Sequence, residues 1–516
     1  MEKWLSMKDK NRRHIASTRR RIERRLAQAV RVNDGGPVLS AAGIRYELGN
    51  QPQAMPHGGI GAIHRLVRNC GLPWQIDRRL PLLKIHAPYH ESDHVLNIAY
   101  NALCGGRVLE DIELRRNDVA FLNALGAESI PDPTTAADFC RRFESADIWS
   151  LQDAINEARI RLWRSQPRSF IEQTARVDAD GTLVGTDGDC KEGMALAYNG
   201  VWGYHPLVVS FASTNEPLFI RNRSGNRPSA EGAAELFDKA IALCRKAGFT
   251  DILLRGDTDF SQTTELDRWN ADGVRFIFGY DARKHMLERA ASAPADAYCE
   301  LVRHAERAIK TKPRRRPPNI KEQIVKQRKY KNIRLESEQV VDFEFQPTAC
   351  KQAYRVVALR KNLSVERGQT KLFDEVRYFF YITNDRSLSK EQVVREANQR
   401  CNQENLIAQL KGGARALHAP VNTLNANWAY MVMASLAWTL KAWAALSLKV
   451  HPRWRHRHMR QRQLLLRMEF RTFLNAFINV PAQIIKTSRR IIYRLLAYNP
   501  SQQLFFRMLD GIGVPS

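Results

Sequence analysis

The sequence has little cysteine, and none of its cysteines lie close together. The 516 residues include 8 cysteines, and no two of them have the spacing of a zinc knuckle. We therefore expect reduced, mainly buried thiols, which are usual in a cytosolic protein of this size. No internal repeat or long low-complexity tract is present either.

The pattern of a membrane protein is also missing. The longest apolar run, Trp428 to Leu448, contains Lys441 and lacks clean polar flanks, so it predicts a buried core helix rather than a membrane span. We find no signal peptide and no lipidation motif. We therefore expect a cytoplasmic location and no membrane partner.

Acidic residues are scarce relative to basic ones. Asp and Glu total 54 against 80 Lys and Arg, which gives a net charge of +26. A chain this basic repels itself unless it lies beside a polyanion, and nucleic acid is the usual one. Basic clusters occupy the first 30 residues, residues 314–316 and residues 453–471. We expect the N-terminal cluster to be an arm on DNA phosphates.

Hydrophobic periodicity divides the chain into five segments. Residues 1–165 combine the basic arm with a helical DNA-binding region, and a change to strands begins an α/β core over residues 166–280. Alternating polar and apolar residues over 281–385 predict a β-rich insertion. Helices of the core resume over 386–450, and a basic helical region, 451–516, follows them.

The order of elements in the first part of the core indicates the fold. Three strands come first, and helix, strand, helix and strand follow. The predicted elements are strands at 175–180, 207–212 and 217–223, a helix at 230–247, a strand at 252–254, a helix around Leu266 and a strand at 274–279. This is the order of a ribonuclease-H-like fold. We therefore predict an α/β protein with a ribonuclease-H-like core, a β-rich insertion, and helical N-terminal and C-terminal regions.

Two aspartates fall where core strands end. Asp180 closes the first strand, and Asp257 follows the buried strand at 252–254. Taken alone, each is more simply a turn or capping residue, but the first and fourth strands of this fold are neighbours, so the two should meet. Cleavage of phosphodiesters with two divalent ions needs carboxylates arranged in this way. Asp178, which alternation puts on the same face as Asp180, is an alternative supporting residue.

A third carboxylate is predicted from helix geometry. Ser389 and Gln392 form a capping box, so a helix should begin there. Around a regular helix, Glu404 lies about 40° and Lys411 about 20° from Arg400, so all three should project from one face. The face would carry a metal ligand between two phosphate contacts. A surface stripe with an Arg–Glu ion pair is the simpler alternative.

Further stretches complete a recognisable pattern. They are Val177-Asp178-Ala179-Asp180-Gly181-Thr182, Glu192-Gly193, Tyr198-Asn199-Gly200, Gly203-Tyr204-His205-Pro206, Arg223-Ser224-Gly225-Asn226 and Arg255-Gly256-Asp257-Thr258-Asp259-Phe260. Together with Arg400, Glu404 and Lys411, at an arginine–glutamate–lysine spacing, they resemble the DDE transposases of bacterial insertion sequences. The resemblance is to the group with a β-rich insertion before the catalytic glutamate, and it runs from about residue 90 to 445.

The resemblance implies a role for each matching residue. Asp180, Asp257 and Glu404 would be the catalytic carboxylates that hold two Mg²⁺ or Mn²⁺ ions, and Arg400 and Lys411 would contact phosphates near the cleaved end. It also implies cut-and-paste transposition in the bacterial cytoplasm, beside the nucleoid. Terminal inverted repeats would be cut, and the element would be joined to target DNA by a homodimer in a synaptic complex.

Several alternatives stay open. The family's tyrosine three residues before the arginine is Ala397 here, so either another aromatic residue replaces it or no stable DNA hairpin forms at the element end. In the insertion, Arg314, Arg315 and Arg316 are expected to bind DNA rather than metal. The alternative functions are an inactive relative that acts as a DNA-binding repressor and a stand-alone metal-dependent nuclease. The three intact carboxylates argue against the first, and the length and the insertion argue against the second.

Overall fold

The computed structural model describes residues 13, 16–24, 53–86, 88–186, 188, 190–301, 331–367, 370–487, 490–496 and 499–513. The predicted DNA contacts Arg314, Arg315 and Arg316 lie outside the described residues. So does most of the basic N-terminal arm, apart from a helical stretch at residues 16–24.

Helices precede the central sheet, as the sequence predicts. They are α1 (Ile60–Asn69), α2 (Leu72–Arg79), α3 (Glu91–Leu103), α4 (Glu113–Arg116), α5 (Val119–Leu125), α6 (Pro133–Arg141) and α7 (Ser145–Arg164). Local chemistry begins two of them. Asp118 and Asp132 are the N-caps of α5 and α6, where their side chains accept backbone N–H groups, and Pro133 occupies the first turn of α6.

The long apolar run forms a core helix, α13 (Leu424–Leu446). Among the described helices it is long and apolar enough to cross a membrane, but its most apolar window is wholly buried within the protein. Its single charge, Lys441, donates to the Leu466 carbonyl oxygen at 2.9 Å and lies over the Trp438 ring. Burial lowers the pKa of Lys441 to about 7. One hydrophobic core joins α13 to the N-terminal helices and the C-terminal segments.

A nine-stranded sheet forms the centre of the molecule. Its first part contains β2 (Ala175–Gly181), β6 (Leu207–Phe211), β7 (Glu216–Arg221), α8 (Ala233–Ala247), β8 (Ile252–Gly256), α9 (Leu266–Ala271) and β9 (Arg275–Tyr280). Strands β2, β6 and β7 are antiparallel neighbours, whereas β2, β8 and β9 run parallel. Every element predicted between residues 175 and 280 is confirmed.

A small sheet between the first two core strands was not predicted. It consists of β3 (Val184–Gly185), β4 (Ala195–Leu196) and β5 (Trp202–Tyr204), in the order β3-β5-β4. Its strands are only two or three residues long. Such short strands carry no alternation that a sequence pattern could reveal.

The insertion is rich in strands, as predicted, but it continues the core sheet. After α10 (Lys284–Ala291) come β10 (Cys299–Glu300), β11 (Lys331–Phe345), β12 (Tyr354–Arg367) and β13 (Thr370–Thr383). The last three are consecutive antiparallel strands. Strand β13 pairs with the core strand β9, with Phe380 opposite Tyr280. The insertion therefore shares hydrogen bonds with the strand that follows the Asp257 segment.

The prediction that the chain is helical from residue 386 to its end is wrong in part. Helices α11 (Lys390–Asn398), α12 (Cys401–Ala408), α14 (Arg455–Arg467), α15 (Phe470–Phe473) and α16 (Gln502–Ile512) are present. Between α15 and α16, however, β14 (Ala482–Lys486) and β15 (Ile491–Leu495) form a sheet with β1 (Ala54–Met55). Isoleucine-rich runs favour strands, but the partner strand of β14 comes from the other end of the chain.

Glu216 connects the helical region to the sheet. It begins β7 and its side chain is fully buried. Its carboxylate accepts from Arg159 Nε at 3.0 Å, Trp443 Nε1 at 2.7 Å, Thr214 Oγ1 at 2.6 Å and Trp163 Nε1 at 3.3 Å. A buried charge is tolerated only when its hydrogen-bonding capacity is filled in this way. Helices α7 and α13 are thus attached to the sheet edge through one carboxylate.

Replacing Glu216 should therefore destabilise the whole protein. In Glu216→Ala, Arg159 is left buried without its counter-charge, which should cost about 3–5 kcal/mol of unfolding free energy. Urea denaturation followed by tryptophan fluorescence measures the change. Glu113→Ala, which removes an exposed ion pair with Arg116, is the matched control and should cost less than about 1 kcal/mol. Equal stability of the two variants would contradict this role of Glu216.

Candidate active site

A buried ion pair fixes the alignment of β2 and β8. Asp178 and Arg255 are direct partners in the parallel register. Arg255 donates through Nε and Nη2 to the two Asp178 oxygens at 2.7 and 2.8 Å, and each side chain is 1% exposed. A bidentate pair of this kind has one favourable geometry. A shift of either strand would leave both charges buried and unpaired.

Helix α11 closes over this pair. Ser389 caps the helix and forms the predicted capping box with Gln392. From the same helix, Glu396 accepts from Arg176 at 2.8 and 2.9 Å and from Arg255 at 3.2 Å. Strands β2 and β8 are therefore joined to the helix that leads to Glu404.

Asp180 lies two residues beyond Asp178 in β2, and Asp257 lies two residues beyond Arg255, directly after β8. Alternation puts Asp180 on the same face as Asp178, and likewise Asp257 on the same face as Arg255. The predicted adjacency of the first and fourth core strands is confirmed by the pairing of β2 with β8. Asp257 also has the capping role considered as its alternative, because its Oδ1 accepts from the Asp259 N–H at 3.1 Å.

Each of these aspartates has a neighbouring glycine that the packing requires. A Cβ on Gly181 would lie 2.8 Å from His205 Nε2, and one on Gly256 would lie 2.4 Å from the Phe260 Cβ. Real Cβ atoms do not approach other atoms so closely. Asp180-Gly181 and Gly256-Asp257 are thus units in which the glycine allows the strand end to pack tightly.

Arg400 reaches all three predicted carboxylates. Its Nη1 lies 3.3 Å from Asp180 Oδ2, and its Nη2 lies 4.0 Å from Asp257 Oδ2 and 3.9 Å from Glu404 Oε1. The Arg400 side chain is 16% exposed, against 63% for Glu404. The structure therefore brings Asp180, Asp257, Glu404 and Arg400 together, although they come from distant parts of the sequence.

The regular helix predicted from Arg400 to Lys411 is wrong. Helix α11 ends at Asn398, and Arg400 lies in a tight turn before α12, because its N–H bonds to the Ala397 carbonyl and the Gln403 N–H bonds to the Arg400 carbonyl. After α12, residues 409–413 form a π-helical turn. Hydrogen bonds that span three or five residues, instead of the four of an α-helix, change the direction in which later side chains project. The angle counted to Lys411 on an ideal helix therefore does not apply, whereas the predicted proximity of Arg400 and Glu404 is confirmed by their 3.9 Å separation.

Lys411 does not continue the regular helix that was used to predict its direction. It lies in the π-helical turn, half-buried, and its Nζ donates to the Leu183 carbonyl oxygen at 2.6 Å. Burial lowers the pKa of Lys411. Leu183 follows the end of β2, so Lys411 lies beside the segment that carries Asp180 rather than among the carboxylates.

The site holds more negative charge than its surroundings stabilise. The pKa of Asp180 is raised to about 6, chiefly by burial; Arg400 lowers it, and the nearby Asp257 and Glu404 raise it. Burial is also the main cause that raises the pKa of Asp257. Carboxylates with raised pKa values favour either a proton or an added cation.

The donor set fits divalent metal ions in its chemistry. Asp180, Asp257 and Glu404 offer only oxygen atoms, the ligands that Mg²⁺ and Mn²⁺ prefer. Within the described part of the chain, however, no three acidic, histidine or cysteine side chains come close enough to hold one ion together. In this structure the carboxylates converge on the Arg400 guanidinium instead.

Sequence reasoning missed the residues that support the site. Arg255 was not recognised as the partner of Asp178, nor Glu396 as a partner of Arg255, although Glu396, Arg400 and Glu404 recur every four residues. That spacing is a usable signal, because it predicts one charged seam along a helix. The ion pair also favours a structural role for Asp178, since Arg255 occupies both of its carboxylate oxygens.

Comparison with known proteins gives the class of the molecule. A family model described as transposase DDE domain group 1 matches residues 54–513. The chain therefore belongs to the DDE transposase family, whose members are metal-dependent enzymes of DNA transposition.

Individual proteins are much more distant. The solved structures include a piggyBac transposase synaptic complex with hairpin DNA, which is similar over 81% of this chain and 81% of that one, with 9% sequence identity and a TM-score of 0.35. This likeness is too low to inform the fold or the site. No curated protein sequence matches the chain.

The raised pKa of Asp180 predicts a pH dependence of metal binding. The folded protein favours the neutral carboxyl, so the stability from its protonation is present below the unfolded pKa and lost as pH rises through about 6. If Asp180 binds a metal ion, it must do so in the ionised form, so the affinity for Mn²⁺ should fall as pH drops below about 6. Calorimetric Mn²⁺ titrations from about pH 5 to about pH 8 measure this. An affinity independent of pH over this range would contradict the expectation.

Proposed function

We propose that the protein is the cut-and-paste transposase of a bacterial insertion sequence. It recognises the terminal inverted repeats, hydrolyses the DNA there, and joins the freed ends to target DNA. The observation that carries the proposal is the convergence of Asp180, Asp257 and Glu404 on one arginine at the edge of the central sheet. These are the carboxylates that the sequence motifs select independently.

The core is proposed to be ribonuclease-H-like. The strand order β7-β6-β2-β8-β9 supports this, with β7, β6 and β2 antiparallel and β8 and β9 parallel to β2. In such a sheet the ends of β2 and β8 are adjacent, and a later helix closes over them. Helices α11 and α12 take that place, and Gln403 of α12 donates to the Val208 carbonyl oxygen in β6 at 2.9 Å.

Asp180, Asp257 and Glu404 would hold two Mg²⁺ or Mn²⁺ ions. When bound, such ions supply the positive charge that activates an attacking oxygen and stabilises a leaving one. In the hydrolytic step, the oxygen of water bonds to phosphorus and the P–O3′ bond breaks, which leaves a 3′-hydroxyl. In strand transfer, that hydroxyl attacks a target phosphorus, and the displaced 3′-oxygen leaves with a proton.

DNA binding is attributed to the basic surface. The net charge is +26, and α14 exposes basic residues on its first turns, among them Arg455, Arg457 and Arg460. Phosphates attract such charge without regard to base sequence. Arg314, Arg315 and Arg316 stay predicted DNA contacts, and so does Lys411. A homodimer is proposed because two element ends must be held together, and the site of action is the cytoplasm, beside the nucleoid.

Removing one carboxylate charge should separate catalysis from DNA binding. Asp180→Asn, Asp257→Asn and Glu404→Gln preserve shape, but each loses a charge that would hold metal. Each variant should reduce plasmid excision at least about 1000-fold, because one missing ligand disturbs both metal positions. A gel shift on the same preparation should show end binding that is unchanged or tighter.

Controls come from the acidic residues beside these three. Asp259→Asn should keep partial excision, and Asp178→Asn should lower thermal stability through the lost Arg255 pair while keeping partial excision. Near-normal excision by the Asp257 or Glu404 variant would refute the assignment. Loss of excision in Asp178→Asn with retention in Asp180→Asn would move the first ligand by two residues.

Tyr381 is the proposed replacement for the tyrosine missing at position 397. It lies on β13 and packs in the same small apolar cluster as Ala397. Burial raises the pKa of the Tyr381 hydroxyl to about 12, and Arg400 is among the charges near it. An aromatic ring from the insertion therefore lies in the same apolar cluster as Ala397, where the family has a tyrosine on the helix.

Changing Tyr381 should alter how the DNA end is handled. If its ring supports a distorted strand, Tyr381→Ala should lower the amount of hairpin product at least about tenfold, and Tyr381→Phe should retain most of it, since stacking needs only the ring. Denaturing gels distinguish the products, because a hairpin runs as one strand of doubled length. Tyr378→Ala, on the opposite face of β13, is the matched control. A dominant hairpin that persists in Tyr381→Ala would rule out this replacement.

A further inference from the structure

Arg400 is the cation that lies beside the three carboxylates. Among the residues whose placement is described, it is the only cation within 4.0 Å of Asp180, Asp257 or Glu404. Arg255 forms its ion pairs with Asp178 and Glu396 instead. The site therefore depends on one guanidinium for its charge balance.

The same guanidinium lies within 4.0 Å of all three carboxylates that are proposed to bind metal. Mg²⁺ binds carboxylate oxygens at about 2.1 Å, whereas Arg400 keeps its nitrogens at 3.3 to 4.0 Å from the three carboxylates. The carboxylates are spread around a group larger than an ion, which explains why no three of the described acidic side chains form a compact metal set. A divalent ion among them would also repel the arginine.

We infer that Arg400 is an internal counter-cation that divalent metal ions displace when they bind. The inference rests on the proposed metal-binding role of the three carboxylates. In metal-free protein the guanidinium holds Asp180, Asp257 and Glu404 near one another and limits their repulsion. Once ions bind, the guanidinium leaves the carboxylates and becomes available to a DNA phosphate.

The local backbone suits such an exchange. Arg400 lies in the tight turn between α11 and α12, one turn before Glu404. Its long side chain can change direction without moving the helix, because Gln403 keeps α12 attached to β6. Glu396 on the preceding helix is held separately by Arg176 and Arg255. Helix α12, which carries Glu404, is thus held in place independently of the direction of the Arg400 side chain.

The exchange also couples metal binding to DNA binding. Bound metal ions free Arg400 to contact a phosphate. A phosphate that attracts Arg400 likewise draws it away from the carboxylates, which can then bind metal. By linkage, each ligand must strengthen the other by the same factor. Metal affinity should therefore be weak in the free protein and higher beside a DNA end.

The test is Mn²⁺ affinity measured by calorimetry in the absence of DNA. Arg400→Met removes the competing charge and keeps an apolar stem of similar length, so it should bind Mn²⁺ about tenfold more tightly than the wild type. Without metal, Arg400→Met should also unfold at a lower temperature than the wild type. Added Mn²⁺ should raise its unfolding temperature by more than it raises that of the wild type. Arg400→Lys, which keeps the charge, should lie between the two. Arg141→Met, which removes a surface pair with Asp138, should change nothing.

Two kinds of failure can be told apart. If Glu404→Gln binds Mn²⁺ as well as the wild type, the proposed metal site itself is wrong. In the second kind of failure, Mn²⁺ binding depends on Glu404 while Arg400→Met binds Mn²⁺ no more tightly than the wild type. In that case the metal site stands, and the displacement of Arg400 by metal is overturned. Should Arg400→Met fail to fold, Arg400→Gln serves the same comparison, and an unchanged affinity there is equally contrary.

Discussion

The structure depends on the pairing of Asp178 with Arg255 between two buried parallel strands. Both side chains are 1% exposed, so each charge is stable only while the other stays in place. This requirement fixes the register of β2 against β8. The register in turn brings Asp180 and Asp257 to one edge of the sheet, and Glu396 extends the same network to the helices that carry Arg400 and Glu404. The edge that carries the proposed catalytic carboxylates is thus positioned by the Asp178–Arg255 ion pair.

Charge balance differs between the interior of this ion-pair network and the edge of the sheet. In its interior, Arg176, Arg255, Asp178 and Glu396 satisfy one another with short hydrogen bonds. At the edge, three carboxylates share one arginine at longer distances. The interior part therefore stabilises a single geometry, whereas the edge keeps an excess of negative charge. Burial raises the pKa of Asp180, with a smaller contribution from the neighbouring Asp257 and Glu404, so the site favours an added cation.

The sequence predicted the features that depend on local pattern. Strand alternation and the capping box at Ser389 each reflect a few neighbouring residues, and the structure contains both. Features that depend on tertiary contacts could not be predicted. The tight turn at Arg400 and the π-helical turn at Lys411 follow from packing of α12 on the sheet, and β14 pairs with β1 from the opposite end of the chain.

The central claim is that Asp180, Asp257 and Glu404 form a metal site when DNA is present. The most direct measurement is a crystal structure with Mn²⁺ and an uncleaved element end, in which anomalous scattering locates the ions. We expect Mn²⁺ bound to oxygens of Asp180, Asp257 and Glu404, with the Arg400 guanidinium moved onto a phosphate. Mn²⁺ bound to Asp178 or Asp259 instead, or Arg400 still bridging carboxylates without an ion between them, would contradict this assignment of the site.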